Sequence, residues 1–330
     1  MNKDIELYSA CQQEGLLVNA NEAGRNIDPD VLQQILDDIR QADLNRYPDD
    51  GCEKLREAYA RTIRKTRDSV LPGNGSDQML GLVISLFAGP DKPVALLTPD
   101  FSMYDYYAGM QGAPVVKAET LDQLKKTPAS LYLFSNPNNP TGKVYPRQQV
   151  LDFVQAVAPV PVAVDEAYMD FSTESVLEDV EAHPNLYVTR TLSKAYGAAG
   201  IRTGFLVASE ENMARIMPYK VPYSVSTLDQ IAACAVLKQD RTDYIRKICQ
   251  ERERMYEALC QDFPVQPSGA NFLYVAGEGM GQLGKDLAAS RIFVRTWPGQ
   301  DAVRITVSEP EDNEAVLAAM KEWRKSHAVR

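Results

Sequence analysis

The sequence predicts an α/β protein with a large domain, built on a mostly parallel sheet covered by helices, and a smaller α+β domain. Three observations predict it. Short, wholly apolar runs alternate with helix-patterned stretches from about Lys54 to Ser209, as parallel strands joined by crossover helices require. A long helix-patterned stretch follows, from Leu228 to Phe263, and the alternation does not resume after it. The 330 residues suffice for one large domain and one smaller one.

The first forty residues precede the alternating pattern and lack it. They are expected to pack on the carboxy-terminal unit as a separate segment, 1–40. Tyr47-Pro48-Asp49-Asp50-Gly51 reads as a turn. Gly73-Asn74-Gly75-Ser76-Asp77 opens a helix running from Ser76 to Phe87. The apolar runs at Val94–Leu97, Leu131–Phe134, Val160–Val164, Leu186–Thr189 and Gly204–Ala208 read as buried strands, and Arg147–Val157 as a covering helix. These form the large domain, 41–240. Strand patterns at Asn271–Val275, Ile292–Arg295 and Val303–Val307, then a closing helix from Glu311 to Lys325, form the small domain, 241–330.

The balance of charges narrows the function. A net charge of −10 disfavours a nucleic-acid or anionic-membrane partner, which calls for a basic patch. It leaves room for a small phosphorylated ligand, since a few arginines suffice for one. No apolar stretch reaches membrane-spanning length, and Met1 to Glu6 form no signal region. Five cysteines without CxxC spacing read as reduced thiols, so a cytoplasmic protein is expected. With only His183 and His327, no metal centre is expected.

In an open parallel sheet, ligands sit beyond the carboxyl ends of the strands. Asn136–Asn139, Asp165 with Tyr168, and Thr191–Lys194 each follow such a strand. Lys194 is open to two readings, a solvated surface lysine or a Schiff-base amine set in a Ser/Thr-rich loop. Asp165 closes an apolar run. It is either a helix cap or the partner of a ring N–H, because a buried acid needs one. Tyr168 and Asn139 are core and turn residues, or donors to a ring hydroxyl. Ser76 and Asp77 at a helix start, with Thr191, Ser193 and Arg202, suit a phosphate cup. An amine, an acid and an anion site are together what pyridoxal 5′-phosphate needs. Tyr104 is either core or a stacking face for a flat ring. Arg304 and Arg295 sit in predicted strands, where each is solvated or clamps a substrate anion.

As a set, these residues resemble the fold-type I, class I/II aminotransferases that use pyridoxal 5′-phosphate, over nearly the whole chain. Within them the chain is similar to the histidinol-phosphate aminotransferase branch. The pieces carrying that likeness are Leu17–Glu22, Arg46–Asp49, Gly73–Gln78, Thr191–Arg202 and the pair Arg295 and Arg304. The resemblance implies that Lys194 carries the cofactor and Asp165 meets the pyridine nitrogen. It implies that Asn139 and Tyr168 bind the ring hydroxyl, that Tyr104 stacks on the ring, and that Ser76, Asp77, Thr191, Ser193 and Arg202 hold the phosphate. Tyr47 would reach the cofactor of a neighbouring subunit, which implies a homodimer with shared active sites. Asn21, Arg295 and Arg304 would bind substrate, Arg304 at the α-carboxylate of glutamate and Arg295 at a substrate phosphate.

The chain departs from the branch at four places. These are Ala23-Gly24 after Asn21-Glu22, Asp50 after Tyr47-Pro48-Asp49, Gln78 after Ser76-Asp77, and the short loop between Arg295 and Arg304. They lie mainly around the substrate side and the amino-terminal lid. The implied activity is amino transfer between glutamate/2-oxoglutarate and histidinol phosphate/imidazole acetol phosphate. The rivals are phosphothreonine decarboxylation and transfer to aromatic or other 2-oxo acids. A transcription regulator on this fold would need a DNA-binding domain, and the short acidic amino terminus offers none.

Overall fold

The computed structural model of the chain describes residues 14–327. Its strands, in chain order, are β1 Leu16–Val18, β2 Val70–Asn74, β3 Val94–Leu97, β4 Val115–Ala118, β5 Leu131–Ser135, β6 Val162–Asp165, β7 Leu186–Thr191, β8 Thr203–Val207, β9 Val265–Gln266, β10 Phe272–Ala276, β11 Ile292–Thr296 and β12 Ala302–Thr306. They form two sheets. One has seven strands in the order β2-β8-β7-β6-β5-β3-β4, the other five in the order β1-β11-β12-β10-β9.

The seven-stranded sheet is the expected mostly parallel one. From β7 through β6, β5 and β3 to β4 every pairing is parallel. Strands β3, β5 and β6 are buried along their whole length, as strands covered on both sides are, and apolar up to Ser135 and Asp165, which end β5 and β6. Strand β8 alone runs against both neighbours. The reason lies in the chain: only residues 192–202 separate β7 from β8, with no crossover helix, and a parallel return needs more chain than that. This short return carries both Lys194 and Arg202.

The fold class is borne out; several element boundaries are not. The long helix expected from Leu228 to Phe263 is two helices, Thr227–Val236 and Thr242–Leu259. The break coincides with a change of core. Leu237 packs in the larger apolar cluster, and Tyr244 in the one that serves the five-stranded sheet. The first forty residues also divide, with residues 1–13 outside the described part. Strand β1 pairs in parallel with β11 in the smaller sheet. Helix Pro29–Arg40 instead buries Ile35 in the larger cluster. Its apolar stripe faces the large domain, so the expected single segment 1–40 is split between the two cores.

Candidate active site

A cavity of about 1160 Å³ lies between the carboxyl ends of the large sheet and one face of the small sheet. It is lined by Ser76, Asp77, Asn139, Asp165, Tyr168, Thr191, Ser193, Lys194, Arg202, Arg295 and Arg304, so eleven residues singled out from sequence converge there. A second cleft, of about 840 Å³, lies among the helices that include Lys54, Arg61 and Cys234; it holds none of these residues.

Asp165 ends β6 with 4 % exposure. Its carboxylate accepts hydrogen bonds from the Tyr104 hydroxyl (2.8 Å), the Thr189 hydroxyl (2.9 Å) and the Ala167 amide (3.2 Å). Burial pushes it up to about 6; the Tyr104 and Thr189 hydrogen bonds restrain the rise, and Asp77 adds to it. A buried carboxylate held only by neutral donors on the rim of a cavity fits a cationic N–H above it.

Lys194 extends from the loop after β7, and its Nζ donates to the Ala20 carbonyl at 2.9 Å. The same Nζ lies 5.8 Å from the Tyr168 ring centroid. Tyr168 accepts from Asn21 Nδ2 at 2.9 Å. Asn139 accepts from Arg304 Nη1, and Arg304 Nη2 donates to the Asn19 carbonyl at 2.9 Å. The amino-terminal strap Asn19-Ala20-Asn21 thus touches Arg304, Lys194 and Tyr168 in turn. Asn21 itself is wholly buried with positive φ, and Thr306 Oγ1 accepts its amide.

The opposite end of the cavity is built for an anion. Thr191 Oγ1 donates to Ser193 Oγ at 3.0 Å, and Arg202 Nη1 reaches the same oxygen at 3.5 Å. Arg202 also faces Asp77 at 3.7 Å. Burial raises Asp77, with Arg202 and Lys194 opposing the shift. Glycine makes this corner possible. A Cβ on Gly204 would lie 2.1 Å from the Ser76 amide nitrogen, and one on Gly75, at φ +76°, 2.6 Å from Arg202 Nη2. Bare backbone at both positions lets β8 approach the start of helix Gly75–Phe87, where Ser76 and Asp77 line the cavity.

Two expected residues lie elsewhere. Tyr104 has no exposed surface and does not line the cavity. It sits on the sheet side of helix Met103–Met110, beneath Asp165, so it offers no face to a ring. Phe101, in the loop before that helix, lines the cavity and meets Tyr104 edge-on at 5.6 Å and 88°. Tyr47 is 81 % exposed and stacks on Tyr223 at 4.6 Å, away from this chain's own cavity. Sequence reasoning also missed Asp100, whose carboxylate accepts the Ser135 amide at 3.0 Å and is pushed by burial up to about 7. Its position beyond a buried strand was the available signal. Among the described residues, no group of three or more His, Cys, Asp or Glu is arranged to hold a metal ion, and no helix is long and apolar enough to cross a membrane.

An acid under one end of a flat cavity, an amine at its side and an anion cup at the other end define a pyridoxal-phosphate enzyme. Residues 13–320 match the family of class I and II aminotransferases, and the chain belongs to it. It is 32 % identical to histidinol-phosphate aminotransferase of Clostridium kluyveri over 91 % of this chain and 90 % of that one. Among solved structures, histidinol-phosphate aminotransferase from Sinorhizobium meliloti in complex with pyridoxal 5′-phosphate superposes with a TM-score of 0.85 at 24 % identity, covering 94 % of this chain and 91 % of that one. L-threonine-O-3-phosphate decarboxylase from Porphyromonas gingivalis has the same fold, with a TM-score of 0.83 at 22 % identity over 94 % and 99 %. The protein is a pyridoxal-phosphate-dependent aminotransferase.

Proposed function

We propose that the enzyme moves an amino group between glutamate/2-oxoglutarate and histidinol phosphate/imidazole acetol phosphate. The observation that carries this is the pairing of Arg295 with Arg304 directly across β11 and β12, both lining the cavity. Two guanidinium groups side by side at one cavity suit a ligand that presents an anionic group to each. A substrate with one phosphate, alternating with a dicarboxylate, suits two cations. The names of the curated relatives support the same reading.

Bound pyridoxal phosphate supplies an aldehyde that carries the amino group and a ring that draws charge from a breaking bond at Cα. Asp165 keeps a proton on the ring nitrogen by staying ionised beside it. Asn139 and Tyr168 orient the ring hydroxyl. Ser76, Thr191, Ser193 and Arg202 fix the phosphate, with Asp77 orienting Arg202. Phe101 covers the ring in place of Tyr104. Lys194 Nζ would take the proton from the substrate Cα and deliver it to the cofactor carbon on the other side of the intervening nitrogen, a general-base role worth about 10²–10⁴ in rate. Arg304 holds the α-carboxylate of glutamate, and Arg295 the phosphate of the second substrate.

Tyr47 completes the cup of a second copy in a homodimer. Leu44, Tyr219, Val221 and Leu228, in the two segments of chain that carry Tyr47 and Tyr223, are also well exposed, and the Tyr223 amide donating to Asp50 ties those segments together. Exposed apolar side chains gathered in two such segments suit a partner surface. The four described cysteines form no disulfide, which suits the cytoplasm.

Half-reactions followed by bleaching of the cofactor's visible band test the reading. Glutamate and histidinol phosphate should both bleach it, and unphosphorylated histidinol should do so far less efficiently. Carbon dioxide release from phosphothreonine, without glutamate formation from 2-oxoglutarate, would replace amino transfer by decarboxylation.

A further inference from the structure

The small sheet brings the indole of Trp297 to the cavity beside its arginines. Register sets Tyr274 on β10 beside Arg304 on β12, and Arg304 beside Arg295 on β11. Trp297 lies just past β11, two residues beyond Arg295, and so continues the same face. Its ring meets that of Tyr274 at 6.0 Å between centroids and 75°. The Arg295 guanidinium carbon lies 5.8 Å from the Trp297 ring centroid. The short turn that follows, with Gly299 at φ +73°, returns the chain at once to β12 and fixes where the indole stands. Trp297 lines the same cavity as Lys194 and Asp165.

An indole only partly covered by protein gains from a flat ring laid against it, beyond the gain from area alone. A short aliphatic carboxylate such as glutamate gains nothing comparable. We propose that Trp297 is a specificity-determining residue that receives an aromatic or heteroaromatic ring on the amino substrate, next to the anion held at Arg295. This rests on the amino-transfer reading above, in which that ring is an imidazole. Trp297 sorts the two substrates that alternate in one cavity, since it engages one and ignores the other.

The test uses holoenzyme of the wild type, Trp297→Leu and Trp297→Phe, each with its cofactor absorbance verified. Half-reaction kcat/KM is measured for histidinol phosphate, phenylalanine, tyrosine and glutamate. Trp297→Leu is expected to lower kcat/KM for ring-bearing donors about tenfold or more, mainly through KM, and to leave glutamate within about twofold. Trp297→Phe should recover most of the loss. An equal loss with glutamate, or no loss with ring-bearing donors, overturns the proposal. Wild type inert to histidinol phosphate but active with tyrosine or phenylalanine sinks the substrate reading alone, and the same comparison is then made with that donor. Wild type inert to every ring-bearing donor overturns both.

Discussion

Tyr104 donates its phenolic hydrogen to Asp165 Oδ2 across 2.8 Å, and neither side chain is more than 4 % exposed. The phenol serves the acid rather than the ring above it. Tyr104→Phe removes one of three donors to a buried carboxylate while keeping the packing. A hydrogen bond to a charged group is worth about 1.5–3 kcal/mol. Cofactor affinity, measured by titrating cofactor-free protein, should fall about tenfold or more. Phe101→Leu should also weaken binding, by removing the face that covers the ring.

Asp165 makes the stability of the cofactor-free protein depend on pH in a particular direction. Its carboxyl titrates at about 6 in the folded chain, against an ordinary 3.8. Between those values the folded chain holds a proton that the unfolded chain has released. The acid's contribution is therefore most favourable below about pH 4 and is lost as pH rises through 6. Relative to Asp165→Asn, the wild type should lose about 3 kcal/mol over that interval. Urea unfolding of both proteins at several pH values measures the difference. Wild-type stability that stays constant relative to Asp165→Asn, or rises with pH, would show that the carboxyl is not raised.

Gly204 tolerates no side chain. An added Cβ at 2.1 Å from the Ser76 nitrogen and 2.5 Å from the Gly75 carbonyl carbon meets backbone, which cannot step aside. Gly204→Ala should destabilise the protein by about 1–3 kcal/mol or more. It should weaken cofactor binding as well, because the helix start carrying Ser76 is pushed out of place. Thermal melting with and without cofactor separates the two effects.

Sites shared between subunits are tested by mixing. Lys194→Ala and Tyr47→Ala proteins should each be nearly inactive. Co-expressed in equal amounts, they should regain about a quarter of wild-type activity, since half the dimers are mixed and each mixed dimer has one intact site. No recovery would mean that Tyr47 works within its own chain; a Tyr47→Ala protein that is active by itself would mean that Tyr47 has no part in the site.

The large sheet was legible because its strands are apolar on both faces and end in polar residues that nothing local explains, as at Val162–Asp165. Lys194 and Arg202 were legible for the same reason. Strand β4, with two exposed residues among its four, and β1, three residues long, carry too little pattern to read. Tyr104 and Phe101 are three residues apart, and only the direction in which helix Met103–Met110 faces the sheet decides which is covered and which looks outward. The break at Gln239-Asp240-Arg241 was hidden by good helix formers on either side. Arg295, Arg304 and Trp297 become one wall only through strand register, a long-range pairing that no local spacing encodes.

Strand β1 pairs Leu16 with Ile292, near opposite ends of the chain. Synthesis proceeds from the amino end, so this strand is made long before its neighbour and waits for it. Ala20 and Asn21, which touch Lys194 and Tyr168, wait with it. A nascent chain halted before β11 can assemble the larger sheet and present its lysine, but it has no anchored strap across that lysine. The strap over Lys194 is thus anchored only once β11 has been made.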